Sequence, residues 1–285
     1  MTDINKLKSV KKLKERLVLH LPYAPNNRES KEYLLSLDVG DVVHIYDFWR
    51  KRLIEPRPRE VVVSCRVRNS GAYIRNKSKI EELFKRVRSG LDISGYLSNK
   101  AHKATFDVDE FRNSGSFNSF RDDILICEGF YHIHLEERPN RTDEVLIVYI
   151  TPRLFEVVQV AKHNLFDKDP AALLEYREFV KDFLRSKIPA GGVIIGGAGG
   201  GIQNLAGSSI ESTFRQIKVR KIIQNVEINN GGIDTYVKCL YRYFEERAPK
   251  YVKPEWQIVN RELVIYDKKN NTMFNEDRLS LALAP

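Results

Sequence analysis

The sequence predicts an α+β fold in which helices surround a central antiparallel β-meander. Three observations carry this. Residues 122–163 hold three apolar runs that alternate with the period of a strand, parted by polar breaks short enough for hairpins. Ser78–Ser89 spaces Ile80, Leu83, Phe84 and Val87 along one helical face. Pro170–Lys187 does the same through Leu173, Leu174, Tyr176, Phe179, Val180, Phe183 and Leu184. In the first apolar run, Phe130, His132 and His134 share one face and Tyr131, Ile133 and Leu135 the other. In the second, Val145, Ile147 and Tyr149 oppose Leu146, Val148 and Ile150. The third, Leu154–His163, is rich in Val and ends on Lys162–His163.

In chain order, residues 4–19 set Ile4, Leu7, Val10, Leu13 and Leu17 about a turn apart with lysines between them. That is an amphipathic basic helix, ended by Pro22 and Pro25. Glu29–Leu37 reads as a second helix, capped by Asn27 or Ser30 and stopped before Gly40. Val42–Phe48 suits a strand or a short helix, and Val61–Val67 a strand. Ser78 and Glu81 have the spacing of a capping box, with Gly90 as the stop. Residues 91–121 are polar, a loop with little regular structure that either covers a site or is a plain insertion.

Beyond the meander, residues 190–207 include eight glycines but no phosphate-loop spacing, so flexible strands or a hairpin fit better. Residues 208–230 extend as strand or helix, and Asp234–Glu246 is a helix. Trp256–Val259 and Glu262–Tyr266 form a hairpin, turning again at Lys268–Asn271 before a polar tail. The expected organisation is a basic N-terminal part (1–75), a helix-plus-meander part (76–190) and a Gly-rich α+β part (191–285).

The chain of 285 residues can bury a sizeable core. Its net charge of +9 is uneven: residues 1–120 hold 24 Lys and Arg against 15 Asp and Glu, while residues 121–285 hold 23 of each. A basic half favours polyanionic partners, nucleic acid above all, although lysines in water serve solubility equally well. Cys65, Cys127 and Cys239 are odd in number and show no metal spacing, which points to a reducing, cytoplasmic setting. No signal peptide or ordinary membrane-spanning run is evident. Trp49 beside Arg50, Lys51, Arg52, Arg57 and Arg59 has the interleaving a single-stranded nucleic-acid surface needs, since rings stack on bases and cations meet phosphates. Equally, Phe48 and Trp49 suit a core position, with the arginines solvated around a Pro-rich loop.

The meander gathers His132, His134, Arg138, Arg141, Lys162 and His163. Histidine serves as acid or base near neutral pH, and arginine offsets charge on a phosphate. A ribonuclease that uses the 2′-hydroxyl as its nucleophile needs a base, an acid and cations, but no metal. Two other arrangements stay open. His132 and His134 can be a metal pair with His163 or Asp123 as third ligand, or they can be hydrogen-bonded sheet residues beside exposed hairpin arginines.

The lines YHIHLEERPNRTDEVLIVYI and LFEVVQVAKHNLFD, behind the Ser78–Gly90 helix, resemble the RelE-like ribonuclease toxins of the barnase–EndoU–colicin–RelE fold group over residues 78–165. The chain is longer than typical members and has His-x-His where many carry Arg. The resemblance implies metal-free, cofactor-free RNA cleavage, often at the ribosome. It makes Arg141 and His163 phosphate or acid/base residues, with Tyr149 or Lys162 in support.

The expected function is therefore a metal-independent endoribonuclease of toxin or phage-defence type. His132, His134, Arg141 and His163 are its chemical residues. Trp49, Arg50, Lys51, Arg52, Arg57, Arg59, Arg138 and Lys162 are its RNA contacts. Its partners would be RNA, free or on the ribosome, and an antitoxin or other protein. The alternative is a non-catalytic nucleic-acid or protein-binding module of a mobile element.

Overall fold

The computed structural model of the chain describes residues 3–98, 101, 105–115, 125, 129–140, 142–167, 169–187, 210–245, 248–275 and 279. In chain order its strands are β1 (Tyr23–Ala24), β2 (Glu60–Val63), β3 (Phe106–Asp107), β4 (Phe130–His134), β5 (Glu144–Ile150), β6 (Leu154–Lys162), β7 (Pro254–Val259), β8 (Glu262–Asp267) and β9 (Thr272–Phe274). The fold is α+β, with the meander in place. The chain divides into two compact units. One comprises Met1–Arg50, Thr105–Gly115 and Glu211–Pro285, and the other Lys51–Ala104 and Ser116–Ile210. Two interleaved units thus replace the three consecutive parts expected. Parallel pairing of Tyr23 with Phe106 and Ala24 with Asp107 draws the 105–115 stretch back to the first fifty residues.

The second unit is built on a four-stranded sheet in the order β2-β6-β5-β4. The meander β4–β5–β6 is antiparallel, with Phe130 opposite Tyr149, His132 opposite Ile147 and His134 opposite Val145. Strand β2 joins β6 in parallel, so the whole sheet is mixed. Its β-branched run ends sooner than expected, because Ser64 accepts from the Val67 amide and caps the helix Cys65–Arg68. On the Phe155 face lies the helix Lys77–Arg88, whose Ile80, Leu83 and Phe84 are fully buried; the Phe84 and Phe155 rings meet edge-on at 6.2 Å. The Ser78–Glu81 capping box does not form. The helix starts at Lys77, and Glu81 accepts from the Tyr73 hydroxyl at 3.0 Å instead. Gly90 closes the helix at φ +70°, so near Pro58 that a Cβ would stand 2.5 Å from its Cδ. On the opposite face, Phe183 of the helix Pro170–Lys187 meets Phe130 and Tyr149 at 5.3 and 5.4 Å.

In the first unit the helices Lys8–His20, Arg28–Ser36 and Val39–Arg50 bury their apolar stripes, so residues 42–48 are helical. The Asn27 side chain accepts from the Ser30 amide at 2.8 Å, the expected cap. Inside the expected loop lies a helix, Val108–Ser114, capped by Asp107 and closed by Gly115 at φ +66°. Ile210–Gln224 is helical and runs into a π-helical turn, Asn225–Asn229; Ile233–Glu245 follows. In the sheet β7-β8-β9, Trp256, Ile265 and Phe274 stand in one buried row, with β9 where a polar tail was expected. The glycine-rich residues 190–207 lie outside the described residues. Among the described residues, no helix is long and apolar enough to cross a membrane.

Candidate functional site

One corner of the meander collects the histidines. His134 ends β4, and His163 follows β6 directly. Their rings stack at a centroid distance of 5.8 Å and an interplanar angle of 23°. His134 is buried, and its Nδ1 lies 3.2 Å from the Thr142 carbonyl. A carbonyl only accepts, so Nδ1 carries the proton and the ring orientation is set. His163 is exposed, and its amide donates to the Asp143 carbonyl at 2.8 Å.

Residues 142–144 therefore pin both histidines from one short segment. The Thr142 hydroxyl strengthens this: it accepts from the Leu135 amide at 3.1 Å and donates to the Glu144 carbonyl at 2.6 Å. Sequence reasoning missed Thr142. Its only signal was its place between Arg141 and the start of an alternating strand.

His132 shares this face, two residues back along β4 and half-buried. The strand repeat sets the two histidine Cα atoms about 7 Å apart. Arg141 lies outside the described residues. Lys162 is exposed and faces the other way, since it pairs in register with Glu144 while His134, Val145 and Ala161 share a row. On that other face the Glu144 carboxylate takes hydrogen bonds from Arg75 at 2.8 Å and from Asn76. Burial alone would raise the Glu144 pKa. The bonds from Arg75 and Asn76, with the fields of Arg75 and Lys162, outweigh it and hold the carboxyl below its ordinary value.

The expected RNA contacts divide. Trp49 and Arg50 belong to the first unit, with the Arg50 guanidinium 5.7 Å from the Trp49 ring centroid, and both are partly exposed. Lys51, Arg52, Arg57 and Arg59 belong to the second unit. Arg59 is corrected outright: it is buried and donates to the carbonyls of Thr151 and Glu55, each at 3.0 Å. Burial, helped by the Arg57 charge, also lowers its pKa from the ordinary guanidinium value. Arg52 is buried too, which removes it from a solvent-facing phosphate surface. Arg57 keeps partial exposure beside Glu55, 3.2 Å away. Arg138 lines a cleft of 690 Å³ with Lys79, Lys85, Tyr96, Glu136 and Glu137, a mixed-charge wall rather than a cationic one.

No protein-family model matches the chain, and no curated protein or solved structure is similar enough to count as a match. For the His-x-His metal arrangement, no group of three or more His, Cys, Asp or Glu among the described residues is placed to hold an ion; Asp123 lies outside them. What the corner presents is an exposed imidazole stacked on a buried one of fixed orientation, with a third imidazole on the same face.

Proposed function

We propose that the chain is a metal-independent endoribonuclease of toxin or phage-defence type, acting on RNA in the cytoplasm. The observation that supports this most is the His134–His163 stack, in which a buried ring held by Thr142 backs an exposed one. Fixed imidazoles of this kind suit proton transfer at neutral pH. In the proposed step the 2′-oxygen of RNA attacks the adjacent phosphorus while one of His132 and His163 takes the 2′-hydroxyl proton. The P–O5′ bond breaks, and the other histidine protonates the departing 5′-oxygen. A 2′,3′-cyclic phosphate and a 5′-hydroxyl result. His134 orients His163, and Arg141 keeps its sequence-based role as the cation facing the phosphate. The internal nucleophile is part of the substrate, so acid, base and cation complete the requirement.

The deciding experiment incubates purified protein with free RNA in excess EDTA and, separately, with translating ribosomes in magnesium buffer, beside folded His163→Ala and His134→Ala variants. Cleavage by the parent, reduced about 10²-fold or more in both variants, supports the assignment. A parent that cleaves neither substrate overturns it, and the Trp49–Arg50 pair then favours the non-catalytic binding module.

A further inference from the structure

Strand β6 carries a bulge that changes which side chains join the histidines. Ile147 pairs with Gln159 but Val148 pairs with Val157, so Val158 has no residue opposite it. Strict alternation from Glu156 would send Gln159 to the face of Phe155 and Val157. The extra residue turns it over. Gln159 then stands on the face of His132, with Ile147 between them in a row across three strands. Bulges re-aim single side chains in this way, and they concentrate beside functional sites.

The side chain so placed is a poor choice for packing alone. Gln159 is 2% exposed, and its Oε1 is buried with no hydrogen-bond partner among the described residues. Leu or Met would fill the same space in this Val-rich strand with no polar atom to desolvate. An acceptor held ready on the histidine face calls for a donor. Two strand spacings separate the backbones of His132 and Gln159 by about 10 Å, a gap that an imidazole and a glutamine side chain leaning over Ile147 can close.

We propose that Gln159 is the positioning residue for His132: its Oε1 accepts one N–H of the imidazolium and leaves the other N–H to act as the acid. In the step above, that second N–H passes its proton to the 5′-oxygen as the P–O5′ bond breaks, and the first N–H stays on Gln159. The destination of the proton rests on the nuclease assignment; the pairing of the two side chains does not. Other charges on this side are already engaged. Glu156 pairs with Lys187 at 2.6 Å, Asp182 of the covering helix pairs with Arg66, and His134 has its Nδ1 on Thr142. Glu175, Arg177, Glu178 and Lys181 of that helix face solvent.

The test is the NMR titration of the His132 ring, without RNA, in the parent and in Gln159→Met. Loss of the acceptor lowers the midpoint by about half a pH unit, a roughly threefold fall in proton affinity. Gln159→Met keeps a cooperative thermal transition, which separates the shift from unfolding, and Gln159→Glu raises the midpoint instead. In RNA cleavage, Gln159→Met lowers kcat and leaves KM unchanged. An unmoved midpoint in Gln159→Met overturns the proposal and leaves Gln159 an unsatisfied core amide. Failure of the parent to cleave RNA would sink the nuclease assignment, while the titration still decides the pairing.

Discussion

Arg261 holds Asp47 with both arms of its guanidinium, Nε 2.7 Å from Oδ1 and Nη2 2.9 Å from Oδ2. The carboxylate is buried, and Arg215 lies 3.7 Å from the same Oδ1. Arg261 reaches it from a two-residue hairpin turn, where it takes φ +66° after Asn260 at φ +51°. Glycine would adopt that turn more easily, so the arginine keeps a strained backbone in exchange for a tie between the hairpin and the helix Val39–Arg50.

Asp47→Ala leaves two guanidiniums without their shared carboxylate, and urea unfolding should show a loss of about 3–5 kcal/mol. Arg261→Gly should cost less. Glycine recovers about 1 kcal/mol of left-handed strain, and Arg215 remains beside Asp47. Equal losses in the two variants would show that the turn strain is negligible.

Arg59 gives the second prediction. Its donors serve the Thr151 and Glu55 carbonyls inside the second unit. Arg59→Met should lower stability by about 2–3 kcal/mol and leave the salt dependence of the proposed RNA binding unchanged. Arg50→Ala should do the reverse, since Arg50 is partly exposed. A flatter salt slope for Arg59→Met would return it to the binding surface.

Asp267 should govern the acid limb of stability. It is fully buried and accepts from Asn270 at 2.6 Å, the Lys253 amide at 2.8 Å, and the Lys269 amide and Tyr241 hydroxyl at 3.0 Å. Burial alone would raise its pKa, but these four donors hold it below the ordinary carboxyl value. The unfolded chain therefore takes up this proton at a higher pH than the folded one. The stabilisation is complete above the unfolded value of about 3.9 and is lost as pH falls through the folded value. The stability gap between parent and Asp267→Asn should be wide at neutral pH and narrow in acid, read by urea unfolding at stepped pH. A gap constant with pH would contradict the assignment.

Thr142 links the meander hairpin to the histidine pair. Thr142→Val keeps the shape but removes the acceptor for the Leu135 amide and the donor to the Glu144 carbonyl. Stability should fall by about 1–2 kcal/mol and RNA cleavage by about tenfold, with Thr142→Ser near the parent in both. If Val and Ser behave alike in cleavage, the hydroxyl does not position His134.

Much of this could be seen in the residues alone. Period-two alternation placed Phe130, His132 and His134 on one face, and helical spacing found Pro170–Lys187 to the residue. The bulge at Val158 left a faint trace, the three-residue spacing of the polar Glu156 and Gln159 in a strand where every residue from Phe155 to Ala161 is buried. Arg59 looked solvated because a guanidinium on carbonyls and one in water read identically in a sequence. The helix Val108–Ser114 was overlooked in a polar stretch, although Asp107 and Gly115 supply its cap and stop. Its assignment to the first unit depends on the pairing of Tyr23 with Phe106, a long-range match that no local pattern announces.

Interleaving also sets the order in which the chain can finish itself during synthesis. Every residue of the second unit has been made once Ile210 is joined, whereas the first unit waits for Glu211–Pro285. At about 5–20 residues per second, that last stretch takes roughly 4–15 s. Throughout it, the helix Lys8–His20 lacks strand β7, which packs against it in the finished unit, a window in which a chaperone has apolar surface to hold. The histidine corner needs none of those late residues. A nascent chain still tethered to the ribosome therefore already has the complete sequence of that corner.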